Sequence, residues 1–251
     1  MSALATGVIV FACVFGGALV GLVLRGLLPE PHLSTESKDV VKLGMGLLAT
    51  MAALVLSLLI ASAKSAYDAQ SSEVTQLAAN AVLLDRILVH YGPESKDARD
   101  LLRRYVVRVL NQMWPQQGVG STALDLTTTE GDELYETIQA LSPQNEAQRS
   151  LKADARHIIV DVGRTRSLLV AQSGRTIPAP FLVILTFWVT VIFASFGLFA
   201  PRNLTVVATL LLCALSVSAA IYLILELDQP FLGFMQVSSA PLRTALAHLD
   251  H

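Results

Sequence analysis

Charge is scarce in this chain of 251 residues: 15% are Asp, Glu, Lys or Arg, against 53% hydrophobic. An ordinary soluble domain carries about 25% charged residues, so the composition excludes a typical water-solvated surface over most of the chain. The formal net charge is −2, and no basic patch emerges that would neutralise phosphates, which argues against a nucleic-acid partner. The two cysteines, Cys13 and Cys213, both fall in apolar runs. They exclude a disulfide framework and read as small apolar packers. His32, His90, His157, His248 and His251 do not cluster, and no metal spacing emerges. No phosphate-binding glycine loop, nucleophile elbow or zinc-type histidine motif is present. Gly118-Val119-Gly120 lacks the strand and helix context of a dinucleotide site. Low-complexity tracts and convincing internal repeats are absent too. The sequence therefore predicts no enzyme, no cofactor and no metal site.

What the chain has is apolar length. Uncharged stretches run from Gly7 to Leu24, Leu43 to Ala63, Thr176 to Pro201 and Asn203 to Leu225. A bilayer core about 30 Å thick needs roughly 20 apolar residues in a helix, and a helix satisfies its own backbone groups there. The fold class expected is an all-α membrane protein: four transmembrane helices with a helical cytoplasmic insert between the second and third. Residues 1–63 would hold the first two spans, 64–175 the insert, 176–227 the last two spans, and 228–251 a C-terminal tail. The insert carries 13 of the 18 Lys and Arg and 14 of the 20 Asp and Glu, so it is nearly neutral. The first span lacks a basic n-region, and Arg25-Gly26-Leu27-Leu28-Pro29 is a poor cleavage site, so it reads as a retained helix. Near the spans, Lys64, Arg164, Arg166, Arg175 and Arg243 lie on the insert side, against Arg25, Lys38, Lys42 and Arg202 opposite. Five against four leans toward a cytoplasmic insert and termini without fixing them.

The second span has no stop before His90, where Tyr91-Gly92-Pro93 ends the helix. Past the membrane, Tyr67, Val74, Leu77, Ala81, Leu84, Leu88 and Tyr91 make a heptad seam, which Gln70 interrupts. Its partners are expected in the insert. Pro93 to Trp114 presents Leu102, Tyr105, Val106, Val109 and Met113 on one side. Pro115 to Thr129 reads as a loop and Gly131 to Leu141 as a short helix. Ser142-Pro143 is expected to open the next helix, with Ser as N-cap and Pro at the first helical position. That helix would present Leu151, Ala155, Ile158, Ile159, Val162 and Leu169, ending near Gly174.

The second span is rich in small residues: Gly44, Gly46, Ala49, Thr50, Ala52, Ala53, Ser57, Ala61, Ser62 and Ala63. Small residues let membrane helices approach closely, so this span is expected at the centre. The third carries Phe181, Phe187, Trp188, Phe193, Phe196 and Phe199 and is expected at the periphery. Thr50, Ser57 and Lys64, at steps of seven, share one stripe and are candidate pore-lining positions. Lys64 either snorkels to the headgroups or attracts anions as a ring. Glu226 and Asp228, at the end of the fourth span, oppose the helix macrodipole. They read either as part of a turn docking the tail or as a cation or gating site. Ser239-Ala240-Pro241 starts a short amphipathic helix, with Leu242, Leu246 and Leu249 on one face, suited to lying along the bilayer.

Several segments together resemble the bestrophin-like family of bacterial membrane proteins over essentially the whole length. They are Ala61-Ser62-Ala63-Lys64-Ser65-Ala66-Tyr67-Asp68, Leu84-Asp85-Arg86, Trp114-Pro115 and the run from Phe193 to Asn203. The last is Leu225-Glu226-Leu227-Asp228-Gln229-Pro230-Phe231, with Gly233 just beyond. Relatives commonly carry Arg where this chain has Gln229, which removes one internal partner for Asp228. The bestrophin neck and calcium-clasp motifs are not recognisable. The resemblance implies structural roles for Tyr67, Asp85, Arg86, Trp114, Pro230, Phe231 and Gly233. By analogy of architecture it implies a homo-oligomeric ion channel of the bacterial inner membrane, anions preferred over cations, with the second span lining the pore. Its expected partners are the bilayer, further copies of the chain and inorganic ions. The alternative is a non-conducting scaffold or sensor whose insert binds a partner.

Overall fold

The computed structural model describes residues 2–29, 35–114, 129–172, 177–231 and 233–249. Every regular element among them is helical: α1 (Ala3–Leu24), α2 (Thr35–Tyr91), α3 (Lys96–Met113), α4 (Thr129–Ala140), α5 (Glu146–Gln172), α6 (Ala179–Phe199), α7 (Leu204–Leu227) and α8 (Ala240–Leu249). Four of these, α1, α2, α6 and α7, are long and apolar enough to cross a membrane. The helix α1 starts four residues before the uncharged run, and α2 starts eight before it, taking in Lys38, Asp39 and Lys42. His32, the 115–128 connection with its Gly118-Val119-Gly120, Gly174, Thr176 and His251 lie outside the described residues. The chain forms two compact units. One comprises Met1–Ala66 and Arg175–Asp228, the other Tyr67–Gly174 and Gln229–His251; α2 contributes to both.

In the first unit α1, not α2, is the helix on which the others pack. About 33% of its most apolar window is buried, against 11% for α2. The reason is a close parallel crossing of α1 with α6. Gly17 faces Thr190, Gly21 faces Ala194 and Leu198, and Gly197 faces Ala18 and Leu22. A Cβ on Gly21 would overlap the Ala194 carbonyl, and one on Gly197 the Ala18 carbonyl. Glycine therefore sets how near the two backbones come, a small-xxx-small contact of the kind membranes favour. The small residues of α2 were expected to bring that helix to the centre, but Gly44 and Gly46 face open space. Small-residue density along a helix does not make it central unless those residues sit on the facing side. Likewise α6 is not peripheral: Leu185, Ile192 and Phe193 are buried, while Phe181, Phe187 and Phe196 face outward. Cys13 and Cys213 are exposed on α1 and α7, so they do not pack inside this chain as expected.

The second unit is built on the heptad seam. Val74, Leu77, Ala81, Leu84, Leu88 and Tyr91 of α2 are buried together with Leu102, Tyr105 and Val109 of α3. Leu134 and Ile138 of α4 and Ala155, Ile159, Val162 and Leu169 of α5 complete this core. Each large side chain fully removed from water there contributes about 1.5–3 kcal/mol. Gln70 does not interrupt the seam but is itself buried in line with it. Gly92, at φ 122°, ends α2. A single turn of 3-10 helix, Pro93–Ser95, follows, and the Ser95 hydroxyl hydrogen-bonds the carbonyls of Leu88 (2.5 Å) and Gly92 (2.8 Å).

Two local expectations are overturned. Helix α5 opens at Glu146, so Ser142 and Pro143 lie outside it. Its cap is Asn145, whose Oδ1 accepts from the Gln148 amide at 2.8 Å, while Gln148 Oε1 accepts from the Gln144 amide at 2.7 Å. Asn caps as well as Ser, and the reciprocal bond from Gln148 works like a capping box. The amphipathic α8 does not offer its apolar face to a bilayer: Leu242, Ala245 and Leu249 are buried in the second unit's core, packed beside α3.

Candidate functional site

The expected pore positions share one face of α2. Thr50, Ser57 and Lys64 are exposed, while Ala52, Leu59 and Ala63 are buried in the first unit's core. At 100° per residue Ala52 and Leu59 lie about 160° around the helix from Thr50 and Ser57, and Ala63 about 100° from Lys64. The three side chains are spaced about 10 Å apart along the axis. Leu47, Leu54 and Leu58 lie on the same exposed side. The Thr50 hydroxyl is tied to its own helix, donating to the Gly46 carbonyl at 2.6 Å, so it presents its oxygen lone pairs outward. The face is thus apolar with a sparse polar line ending in a cation.

Glu226 and Asp228 form a separate feature at the end of α7. Both are buried, with 6% and 4% of their surface exposed. Asp228 is the C-cap, its amide bonding back to Ile224 and Glu226.

Of the family-motif residues, Tyr67, Trp114, Pro230, Phe231 and Gly233 meet at the segment after α7, whereas Asp85 and Arg86 lie elsewhere. The Trp114 indole N–H donates to the Val237 carbonyl at 2.8 Å. Its ring meets Phe231 edge-on at 5.6 Å between centroids. Tyr67 donates to the Gln236 carbonyl at 3.2 Å. Within the loop, the Val237 amide closes onto the Pro230 carbonyl at 2.7 Å, and Gly233 takes φ 91°, which a residue with a side chain rarely adopts. Asp85, buried at the α2–α3 contact, is held by the Arg99 guanidinium at 2.7 Å and 3.4 Å. Its neighbour Arg86 is exposed and offers its carbonyl to His90.

Sequence reasoning missed three features. Arg99 lies 14 positions from Asp85, too far for any helical-spacing rule. Gly17 and Gly21 were signalled by a Gly-xxx-Gly spacing in α1 that passed unread. The third is Arg166, buried to 8% exposure, with its guanidinium 5.6 Å from the Tyr105 ring centre. Burial pushes the Tyr105 hydroxyl up from its ordinary pKa, and the charge and hydrogen bond of Arg166 act in the opposite direction. No cluster of potential metal ligands occurs among the described residues.

Comparison with known proteins places this arrangement. A family model described as the bestrophin-like domain matches residues 12–242. Among solved structures, the chain resembles a point variant of a bacterial bestrophin homologue from Klebsiella pneumoniae, with 13% identity, a TM-score of 0.68, and coverage of 96% of this chain and 97% of that one. No curated protein matches. The structural likeness establishes the shared fold, the four apolar helices mark a membrane protein, and the domain match spans nearly all of the sequence. The chain belongs to the bestrophin-like domain family.

Proposed function

We propose that copies of this chain assemble into a homo-oligomeric ion channel in the bacterial inner membrane, with the Thr50–Ser57–Lys64 face of α2 lining the pathway and anions preferred. In this reading α1, α2, α6 and α7 span the bilayer, and residues 64–175 form a helical insert on the cytoplasmic side. One observation carries it. Thr50 and Ser57 point away from the buried Ala52 and Leu59 of the same helix, and Gly46, one turn from Thr50 on the same side, has nothing within 4 Å. A face of that kind suits a central path bounded by the same helix from each copy. Lys64 at one end favours anions by simple attraction, and the leucines between keep the path narrow and poorly hydrated.

The experiment is reconstitution into liposomes with the oligomer verified beforehand. Chloride efflux above that of empty vesicles is expected. In Thr50→Cys and Ser57→Cys variants a charged thiol reagent should block it, and Lys64→Glu should lower the chloride-to-sodium preference at least several-fold. A verified oligomer without flux would overturn conduction and leave the non-conducting scaffold, in which the insert binds a partner and the spans anchor it. Block absent at both cysteines, with flux intact, would move the pathway off α2.

A further inference from the structure

The second unit contains a cavity of about 370 Å³ between α3, α4 and α5, a volume within the range of small-molecule sites. Its inner wall includes Tyr105 and Arg166, 3% and 8% exposed, together with the buried Ile159 and Val162. Gly131 and Gly163 leave part of the wall without side chains, and a Cβ on Gly163 would meet nothing within 4 Å. Asp132, Tyr135 and Ser167 stand at the exposed rim. None of these residues belongs to the α2 face or to the loop-docking motif.

From this arrangement we infer that the insert carries a binding site for a small organic monocarboxylate with an apolar body, Arg166 receiving the carboxylate. Guanidinium binds carboxylate through parallel N–H donors, and a charge pair set into a partly enclosed wall is screened less than one at the open surface. Arg166 is oriented before any ligand arrives. Its guanidinium lies over the Tyr105 ring and donates to the side-chain Oε1 of Gln112 at 3.4 Å. The Tyr105 hydroxyl, protonated at neutral pH like any phenol of ordinary acidity, stands beside Arg166 in the same wall. The apolar wall formed by Ile159 and Val162 accepts a hydrocarbon or aromatic body, not a second charge. Asp132 at the rim repels a dianion, which separates this class from phosphate or a dicarboxylate. The site lies wholly within the second unit, so its occupancy does not depend on conduction.

The test is titration calorimetry on the full chain in detergent, with sodium benzoate and sodium isovalerate as probes and inorganic phosphate as comparison. Saturable heat from at least one carboxylate is expected, with phosphate at least tenfold weaker. Arg166→Gln should weaken the carboxylate at least tenfold. Because that change also removes the contact with Tyr105, Gly163→Leu provides the second variant: it fills the cavity and leaves Arg166 in place. It should abolish binding without lowering the unfolding temperature of the unliganded protein. No saturable carboxylate heat up to about 10 mM, a dissociation constant well above that of most specific sites, would overturn the proposal. So would phosphate binding as tightly as the carboxylates, or undiminished binding in Gly163→Leu.

Discussion

Arg25 and Arg202 cap each other's helices. Arg202, which follows α6, donates from its guanidinium to the Leu22 carbonyl at 2.9 Å and 3.1 Å and to Val23 at 3.2 Å, closing the end of α1. Arg25, which follows α1, donates to the Ala200 carbonyl at the end of α6. The last carbonyls of a helix have no partner within it and carry the negative end of the macrodipole. In an apolar setting those groups must be satisfied by side chains. The parallel α1–α6 crossing makes the exchange possible, because it brings both C-termini to one level. It also explains why the basic residues near the spans orient the chain so poorly. Two of the four basic residues expected on the side away from the insert are committed to helix ends, so their positions follow packing as much as the membrane's charge asymmetry.

Removing either cap is therefore expected to loosen both helices. A hydrogen bond from a charged donor contributes about 1.5–3 kcal/mol. Arg25→Ala and Arg202→Ala should each lower stability by about that amount, read from unfolding temperature in detergent. The double variant should cost less than the sum of the two, since each end frays when its neighbour is lost. Strict additivity would mean that the two caps act independently.

Glycine at the crossing makes a sharper prediction. Gly21→Ala or Gly197→Ala forces a Cβ into a facing backbone carbonyl, and overpacking of this kind costs about 1–3 kcal/mol. Gly16→Ala, one residue from the crossing and with nothing within 4 Å, should be neutral or mildly stabilising. The contrast is measured by thermal unfolding of the three variants side by side. Equal effects would place the close contact elsewhere.

The docked segment after α7 should depend on Trp114. Trp114→Phe keeps most of the ring against Phe231 and deletes the N–H bond to Val237. A loss of about 1 kcal/mol is expected, the usual worth of a neutral hydrogen bond. Amide exchange at Val237, whose N–H closes the loop onto Pro230, should accelerate several-fold while exchange in α3 stays unchanged. Exchange accelerated equally throughout the second unit would mean that Trp114 supports the core and not the loop.

How far the structure could be read beforehand depended on whether the signal was local. The seam from Val74 to Leu88 was legible because a heptad repeat is a property of one helix, and four apolar runs were legible from length alone. Which helix stands at the centre was not. Counting small residues favoured α2, whereas the contact is set by the three glycines that face a neighbour. The apolar stripe of α8 has the same appearance whether it meets lipid or a protein core, and only the presence of α3 decides. Among the candidate site residues, the common stripe of Thr50, Ser57 and Lys64 followed from their spacing of seven, while the direction in which it faces did not. The partners of Asp85 and Trp114 come from other segments and left no local trace.

The start of α5 allows these two kinds of signal to be separated by measurement. Ser142-Pro143 has the composition of a helix start, yet Asn145 makes the cap and Ser142 stands three residues outside. Asn145 accepts from Gln148, and Gln148 returns a bond to the Gln144 amide, so two backbone donors depend on one pair of side chains. Replacing a capping Asn by Ala costs about 0.5–2 kcal/mol. Asn145→Ala should therefore destabilise by that amount, and Gln148→Ala by a comparable amount, since it leaves the cap itself intact but releases the bonds to the Gln144 amide and to the Tyr91 carbonyl at 2.8 Å. Ser142→Ala should change stability by no more than about 0.5 kcal/mol, the usual limit for a surface position away from such features. Thermal unfolding in detergent ranks the three. A larger loss at Ser142 than at Asn145 would return the helix start to the Ser-Pro pair.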